Sequence, residues 1–377
     1  MPGKTKIKIA VHAKVLSEER YTGIGVYVYN ILKAISKIDK NNEYFLYSNE
    51  KIIHHIDAPN FHEKILKFPK FWTYLRFPFE FIGGKYDILF MTKETLPPVI
   101  RPKTVLVCFD LMGSMFSKHI ALNGKIHFWI AVNYALKRAG KIITISESTK
   151  KDIMEKCKIP SAKVIVTPLG YDKELFKVCK DPELIEFTKA KYGIVKKYYI
   201  NTSSLLWYRK NLERIIEAFY LCKTKSNIDY QLVITGKKGE SYEGIISKIS
   251  ALGLEKDVIL TDYIPEEDMP VLLSGAEALV FPSLHEGFGL PIIEAMACAC
   301  PVIASNVSAS AEVAENAGLL VDPLSIDEIA GSMEKIVKNR ELREVFINRG
   351  LKKAEEYSWE NTAKLTLRVF EEFSGAK

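Results

Sequence analysis

Residues Phe281–Pro301, FPSLHEGFGLPIIEAMACACP, place two carboxylates around a glycine turn. Glu286 precedes Gly287-Phe288-Gly289, and Glu294 lies one helical turn beyond Leu290. An apolar run closes at Phe281, and Pro291 stands where the first position of a helix tolerates a missing N–H. The spacing predicts a strand, a turn and a helix whose leading N–H groups, those of Phe288, Gly289 and Leu290, lack helical partners and face a ligand. Glu294 shares the helix face of Leu290. Two acids can therefore meet one ligand at two places, such as the hydroxyls of a sugar and the diol of a ribose. The plainer account of Glu294 is an acid offsetting the helix dipole; the company it keeps favours the ligand.

A second constellation, Ser203-Ser204-Leu205-Leu206-Trp207-Tyr208-Arg209-Lys210-Asn211, follows another apolar run and precedes a helical pattern. Adjacent cations at a helix start suit a diphosphate leaving group, because each neutralises charge as the bond to it breaks. A solvated loop pair is the usual fate of such residues. Thr22-Gly23-Ile24-Gly25-Val26-Tyr27 reads as a glycine loop between the first strand and the first helix, weak evidence when taken alone. Val107-Cys108-Phe109-Asp110-Leu111 ends a strand, and Asp110 either meets a ligand or caps the segment that follows. His12, His119 and His127 belong to no motif and read as structural or surface residues.

Short apolar runs alternate with amphipathic stretches along the whole chain, the pattern of βαβ units around parallel sheets. The expected fold is α/β, with two doubly wound Rossmann-like domains facing a cleft. In the first half, strands are expected at 7–13, 44–47, 86–90, 104–109, 141–145 and 164–166, and helices at 24–38, 124–137 and 147–156. The second half should hold strands at 198–203, 231–235, 258–260, 278–281, 302–304 and 319–321. The second series opens after a charged stretch, 173–197, and the region around 172–191 reads as the boundary. Domains are accordingly expected at 1–172 and 173–357, with a closing segment at 358–377. Ligands of such sheets sit beyond the carboxyl ends of the strands. That rule selects Ser203, Ser204, Gly236–Lys238, Asp262, Tyr263 with Ile264 beside it, and Ser283–Gly289.

A length of 377 residues, 47% hydrophobic and 26% charged, suits two folded domains and argues against disorder. The six cysteines form no C-x-x-C pair and have no metal-ligand spacing, so buried thiols in a reducing cytoplasm are expected rather than zinc or disulfides. A net charge of +7 fits an anionic ligand or an acidic membrane surface, and no nucleic-acid motif accompanies it. No run is long enough for a membrane span or a signal peptide, so a cytoplasmic protein with peripheral membrane contact is expected. Phe68–Phe81 is dense in aromatics interleaved with Lys70 and Arg76, and Lys118, Lys125, Lys137 and Arg138 add charge. It reads either as a lipid-facing patch or as a buried helix with a few surface charges.

Taken together, these segments resemble the signature of family 4 of the retaining GT-B-fold glycosyltransferases. The likeness runs through His285–Pro291, Glu294–Ala297, Pro301–Ser305 and Gly318–Pro323, and includes the Arg209-Lys210-Asn211 triplet. It implies transfer of a hexose, mannose as the first expectation, from a nucleoside diphosphate sugar to a glycan or lipid-linked hydroxyl, with retention and without a metal or other cofactor. It also implies that Arg209 and Lys210 stabilise the leaving diphosphate, that Glu286 and the backbone after it hold the donor sugar, and that Glu294 binds the ribose. Gly23 and Gly25 would close over the donor phosphate, Gly236 would allow close approach, and a last helix from Trp359 would cross back onto the first domain. The sequence departs from the family at Ser204, where relatives carry glycine, and at Phe109, where many carry a histidine near the donor sugar. The latter leaves Asp110 as the nearest polar group. GDP-mannose leads UDP-glucose and UDP-N-acetylglucosamine as donor, while a sugar-phosphate synthase and a non-catalytic nucleotide-sugar-binding subunit are the alternatives.

Overall fold

The computed structural model describes residues 6–19, 23–68, 71–82, 84–97, 103–111, 122–203, 207–226 and 228–375. Its contacts form two units, one from the chain up to Leu111, Leu122–Gly170 and Trp359 onward, the other from Tyr171–Ser358. The division falls at Gly170, ahead of the charged stretch. Part of that stretch is itself a helix, capped by the Asp181 carboxylate on the Glu183 and Leu184 N–H groups.

The first unit runs β1 (Lys8–His12), α1 (Gly23–Ile38), β2 (Glu43–Ser48), β3 (Phe61–Ile65), α2 (Trp72–Leu75), β4 (Ile88–Met91), β5 (Lys103–Cys108), α3 (Leu122–Arg138), β6 (Lys141–Thr144), α4 (Glu147–Cys157) and β7 (Val164–Val166). Seven parallel strands pair in the order β3-β2-β1-β4-β5-β6-β7. Ile9, Ala10 and Val11 of β1 are fully buried, the mark of a strand covered on both faces. β3 was not expected from the sequence. Its FHEKI exposes Glu63 and Lys64 at the sheet edge, where charged residues discourage pairing with another chain. The Ser146 hydroxyl accepts the Thr149 N–H at 3.1 Å and starts α4, as its position suggested.

The second unit holds α5 (Pro182–Lys191), β8 (Tyr198–Asn201), α6 (Leu212–Ser226), β9 (Gln231–Ile234), α7 (Tyr242–Ala251), β10 (Val258–Leu260), α8 (Met269–Gly275) and β11 (Ala278–Phe281). It continues through α9 (Leu290–Ala297), β12 (Val302–Ser305), α10 (Ser308–Ala314), β13 (Leu319–Val321), α11 (Ile326–Lys338) and α12 (Arg340–Glu355). Its six parallel strands take the order β10-β9-β8-β11-β12-β13, which reverses direction between β8 and β11. Ile215 and Phe219 of α6 and Ile329 and Met333 of α11 join Tyr199 and Val280 in one core, and the Tyr199 hydroxyl donates to the Met333 carbonyl at 2.9 Å.

The last helix, α13 (Trp359–Ser374), belongs to the first unit and packs along α1. Phe370 is fully buried with its ring 5.1 Å from that of Phe90, Trp359 lies against Tyr27, and the Thr362 hydroxyl donates to the Pro168 carbonyl at 2.6 Å. Truncation of Phe370 would leave a cavity between α13 and the sheet. Phe370→Ala is expected to cost about 3–5 kcal/mol in urea unfolding, with a midpoint shift in the first unit's transition and none in the second's.

Candidate functional site

Arg209 and Lys210 sit in a single 3-10 turn, Tyr208–Lys210, between β8 and α6. Asn211 ends that turn with φ 62°, a left-handed conformation that asparagine tolerates better than most residues. Its side-chain amide donates to the carbonyls of Pro282 at 3.0 Å and Pro323 at 2.6 Å, and its oxygen accepts from Arg214 at 2.9 Å. The third member of the triplet is therefore a clamp that ties the β8 loop to the end of β11. A main-chain bond from the Leu284 N–H to the Arg209 carbonyl, 2.8 Å, closes the same seam.

This seam brings the cations onto Glu286. Arg209 donates from Nη1 to Glu286 Oε2 at 2.6 Å and to the His285 carbonyl at 3.2 Å, while Lys210 Nζ reaches Glu286 Oε1 at 2.7 Å. Lys210 is buried and its ammonium lies 4.8 Å from the Phe281 ring centre. The sequence suggested a cation pair facing a diphosphate; the structure shows the pair held by a carboxylate. The reason is desolvation, since a buried lysine needs an opposing charge. One acid against two cations leaves a net charge of +1. A carboxylate offers about four acceptor positions, so Glu286 can hold both cations and still accept a hydroxyl.

The main chain of Glu286 is fixed as well. Its N–H donates to the Ser308 hydroxyl at 3.1 Å, and its carbonyl accepts from the Ala309 N–H at 3.4 Å. Ser308, at the first turn of α10, escaped the sequence reading because nothing in its spacing marks it. Gly289 forms the N-cap of α9 with φ 101°, a conformation that would strain any other residue, and Pro291 occupies the first turn as its position required. Phe288 is buried with its ring against Tyr357, so towards a ligand it can offer its backbone alone. Leu290 begins the helix and is partly exposed, and Gly287 is buried in the turn.

Glu294 lies on α9 at its fifth residue, past the first turn, where the dipole argument loses its force. Its side chain forms no hydrogen bond or ion pair among the described residues. The two glutamates consequently titrate in opposite directions. Burial by itself would raise Glu286, yet Lys210 and Arg209 pull it down to about 2. Burial, with a smaller push from Glu266, raises Glu294 to about 8.

The remaining candidates occupy the same end of the second sheet. Gly236 follows β9 with φ 125° and donates its N–H to the Asp262 carbonyl at 2.9 Å. After β10, Tyr263 is exposed with Lys237 5.5 Å from its ring, and Ile264 is buried. Ser204 lies outside the described residues, as do Thr22, Lys70, Lys118 and His119, together with the side chains of Lys125 and His127.

In the first unit the glycine loop is not a loop: Gly23 is the first residue of α1 and Gly25 is buried within its opening turn. Helical hydrogen bonding claims the segment because Val28, Ile31, Leu32 and Ile35 make an apolar face along it. Phe109 packs edge-on against Tyr27 with ring centres 5.0 Å apart. Asp110 is partly exposed just beyond β5. Beside it lies an acid that sequence reasoning missed. Glu94 Oε1 accepts the Phe109 N–H at 2.8 Å. Burial raises Glu94 to about 7, against the pull of that bond, with Asp110 adding to the rise. The rule that found the second-half site, polar residues just past strand ends, would have found Glu94 had it been applied to β4.

The opposite shifts of the two glutamates have opposite consequences for stability. Glu286 contributes stability that is present above pH 4.5 and lost as pH falls towards about 2. Glu286→Gln, which strands two cations, is expected to cost roughly 3–5 kcal/mol near pH 7, with a gap from wild type that narrows below pH 4.5. Glu294 resists ionisation, so stability falls as pH rises from 4.5 to about 8, and Glu294→Gln should gain on wild type across that window. Urea titrations of Glu286→Gln at pH 3, 4 and 6 and of Glu294→Gln at pH 4, 6 and 8.5 read the two slopes; slopes of equal sign would contradict the geometry.

The sequence of residues 185–353 matches the family model described as glycosyl transferases group 1. The chain is 29% identical over 240 residues to O-antigen chain mannosyltransferase B of Escherichia coli, covering 64% of this chain and 62% of that protein. It is 28% identical over 271 residues to the serotype-specific mannosyltransferase WbdA of Escherichia coli, 71% of this chain and 33% of that one. The chain thus spans less than two thirds of the length of either relative. Among solved structures, sucrose-phosphate synthase from Thermosynechococcus elongatus superposes with a TM-score of 0.79 over 99% of this chain and 100% of its own, at 18% identity, a likeness of fold. Both sheets are of the Rossmann kind found in GT-B proteins, and within the second unit residues 185–353 are similar to the group 1 glycosyltransferases.

Proposed function

We propose that the protein is a retaining hexosyltransferase that moves mannose from GDP-mannose to a hydroxyl of a glycan or lipid-linked acceptor at a membrane surface. The observation that carries this reading is the Arg209–Glu286–Lys210 cluster at the point where the strand order of the second sheet reverses. Ligands of doubly wound sheets bind at such switch points. The mannosyltransferase names of the E. coli relatives favour mannose over glucose and N-acetylglucosamine.

In this mechanism Arg209 and Lys210 neutralise the diphosphate as the bond between the anomeric carbon and the phosphate oxygen breaks. The acceptor oxygen forms its bond to the same face of that carbon, and its proton passes to the departing phosphate oxygen. Glu286 orients the cations and accepts a sugar hydroxyl, and the backbone from Gly287 to Leu290 donates to the sugar. Glu294, lacking a protein partner among the described residues, takes the ribose diol. Gly236, Tyr263 and Ile264 border the nucleotide. Asp110, just beyond β5 of the first unit, meets the acceptor. The cation pair supplies the charge that a metal would otherwise provide.

Two measurements test this. GDP at about 100 times its dissociation constant should stabilise the protein by about 2.7 kcal/mol, and UDP by less. Arg209→Ala should lower kcat for mannosyl transfer or donor hydrolysis by roughly 100- to 1,000-fold, and turnover should persist in EDTA. Tight GDP binding without turnover on any acceptor would instead identify a nucleotide-sugar-binding subunit.

A further inference from the structure

The strand order of the first sheet also reverses, between β1 and β4, and the carboxyl ends of two such strands are where doubly wound sheets bind ligands. Thr92 follows β4 and is buried; its hydroxyl donates to the His12 carbonyl at 2.6 Å and fixes one strand end against the other. Ile9 lies opposite Ile88, and Val11 opposite Phe90. The same register, carried past the strand ends, sets Lys14 opposite Lys93.

Both lysines are partly buried. Lys14 opens a 3-10 turn, Lys14–Ser17, whose Leu16 carbonyl accepts the Ile53 and His54 N–H groups at 3.1 and 3.2 Å. Neither ammonium forms a hydrogen bond or an ion pair among the described residues. Burial, and after it the like charge of Lys14, holds Lys93 below the usual lysine range, against weaker pulls from Glu18 and Glu94. Those acids are within electrostatic range, yet neither contacts the ammonium, and Glu94 instead accepts the Phe109 N–H at 2.8 Å. Lys210 of the second unit, by contrast, holds a carboxylate at 2.7 Å. His12 adds no charge to the pair: burial and the cations Lys93 and Lys14 lower it to about 3, and its Nε2 lies 3.1 Å from the Thr73 hydroxyl. Two half-desolvated ammonium groups within range of each other and without a counter-ion are costly for the chain alone. A phosphoryl group would offset that cost, because its several oxygens can accept from both lysines at once.

We propose that Lys14 and Lys93 form a phosphoryl-binding subsite in the first unit, separate from the Arg209–Lys210 pair of the second, and that it takes a phosphate carried by the acceptor. The donor diphosphate has its own cations, so this pair serves the other substrate. The acceptor is then a sugar phosphate or a glycan joined to a phosphate, with Asp110, just beyond the neighbouring strand β5, meeting its hydroxyl. Assignment of the subsite to the acceptor rests on the transferase reading above.

The test is calorimetric titration of the full chain with inorganic pyrophosphate while GDP saturates the second unit. Binding should persist under GDP. Lys14→Gln and Lys93→Gln should each weaken it roughly tenfold or more, and Arg209→Ala should leave it unchanged. Neither lysine variant should lose stability, since each removes an uncompensated charge. In turnover assays a hexose phosphate and an alkyl diphosphate-linked hexose are offered beside the plain hexose. Wild type should favour a phosphorylated compound, the first marking a free sugar phosphate and the second a lipid-linked one. The lysine variants should raise its KM with kcat little changed. Displacement of pyrophosphate by GDP, binding that the lysine variants do not alter, or equal KM changes on phosphorylated and plain hexose would overturn the inference. Pyrophosphate binding that needs both lysines, in a protein without turnover on any acceptor, would sustain the subsite and refute the transferase reading instead.

Discussion

A carboxylate buried between two cations governs the second unit. Glu286 is almost fully shielded from water, and so is Lys210; neither could stay charged without the other, and Arg209 completes the compensation. Because the partners come from loops that follow β8 and β11, the ion cluster also ties the two strands between which the sheet reverses. The Asn211 amide and the Leu284–Arg209 main-chain bond reinforce the same seam with neutral contacts. A site preorganised this way holds its positive charge in place before a ligand arrives, and such preorganisation is what gives electrostatic stabilisation its strength.

The two glutamates of the α9 turn show how little residue type says about charge. Glu286 faces two cations and stays ionised far below neutrality, whereas Glu294 meets buried surroundings and the acid of Glu266 and holds its proton to about 8. Near neutral pH one is an anion and the other is mostly a neutral acid able to donate as well as accept. A vicinal diol, which presents both donors and acceptors, suits such a group.

The first unit uses its residues differently. Phe109 packs against Tyr27, and the polar work at that sheet end falls to Glu94 and Asp110. Phe68–Phe81, too, divides by function. Trp72, Phe77 and Phe81 are buried, while Phe71, Leu75 and Phe79 face outward, so the segment is part core and part surface.

What the chain determined by itself was periodic or compositional. Alternating apolar runs announced both sheets, and the spacing of Glu286, Gly289, Pro291 and Glu294 announced a strand, a turn and a helix, because these features arise from local backbone geometry. Three others had to wait for tertiary structure. The pairing of Arg209 and Lys210 with Glu286 spans 76 residues or more in sequence. The edge position of β3 depends on which strand lacks a neighbour. The opening of α1 at Gly23, where glycines suggested a loop, follows from an apolar face that is buried only once the sheet and α13 exist. Each depends on burial, and burial is a property of neighbours brought from elsewhere in the chain, which local sequence does not specify.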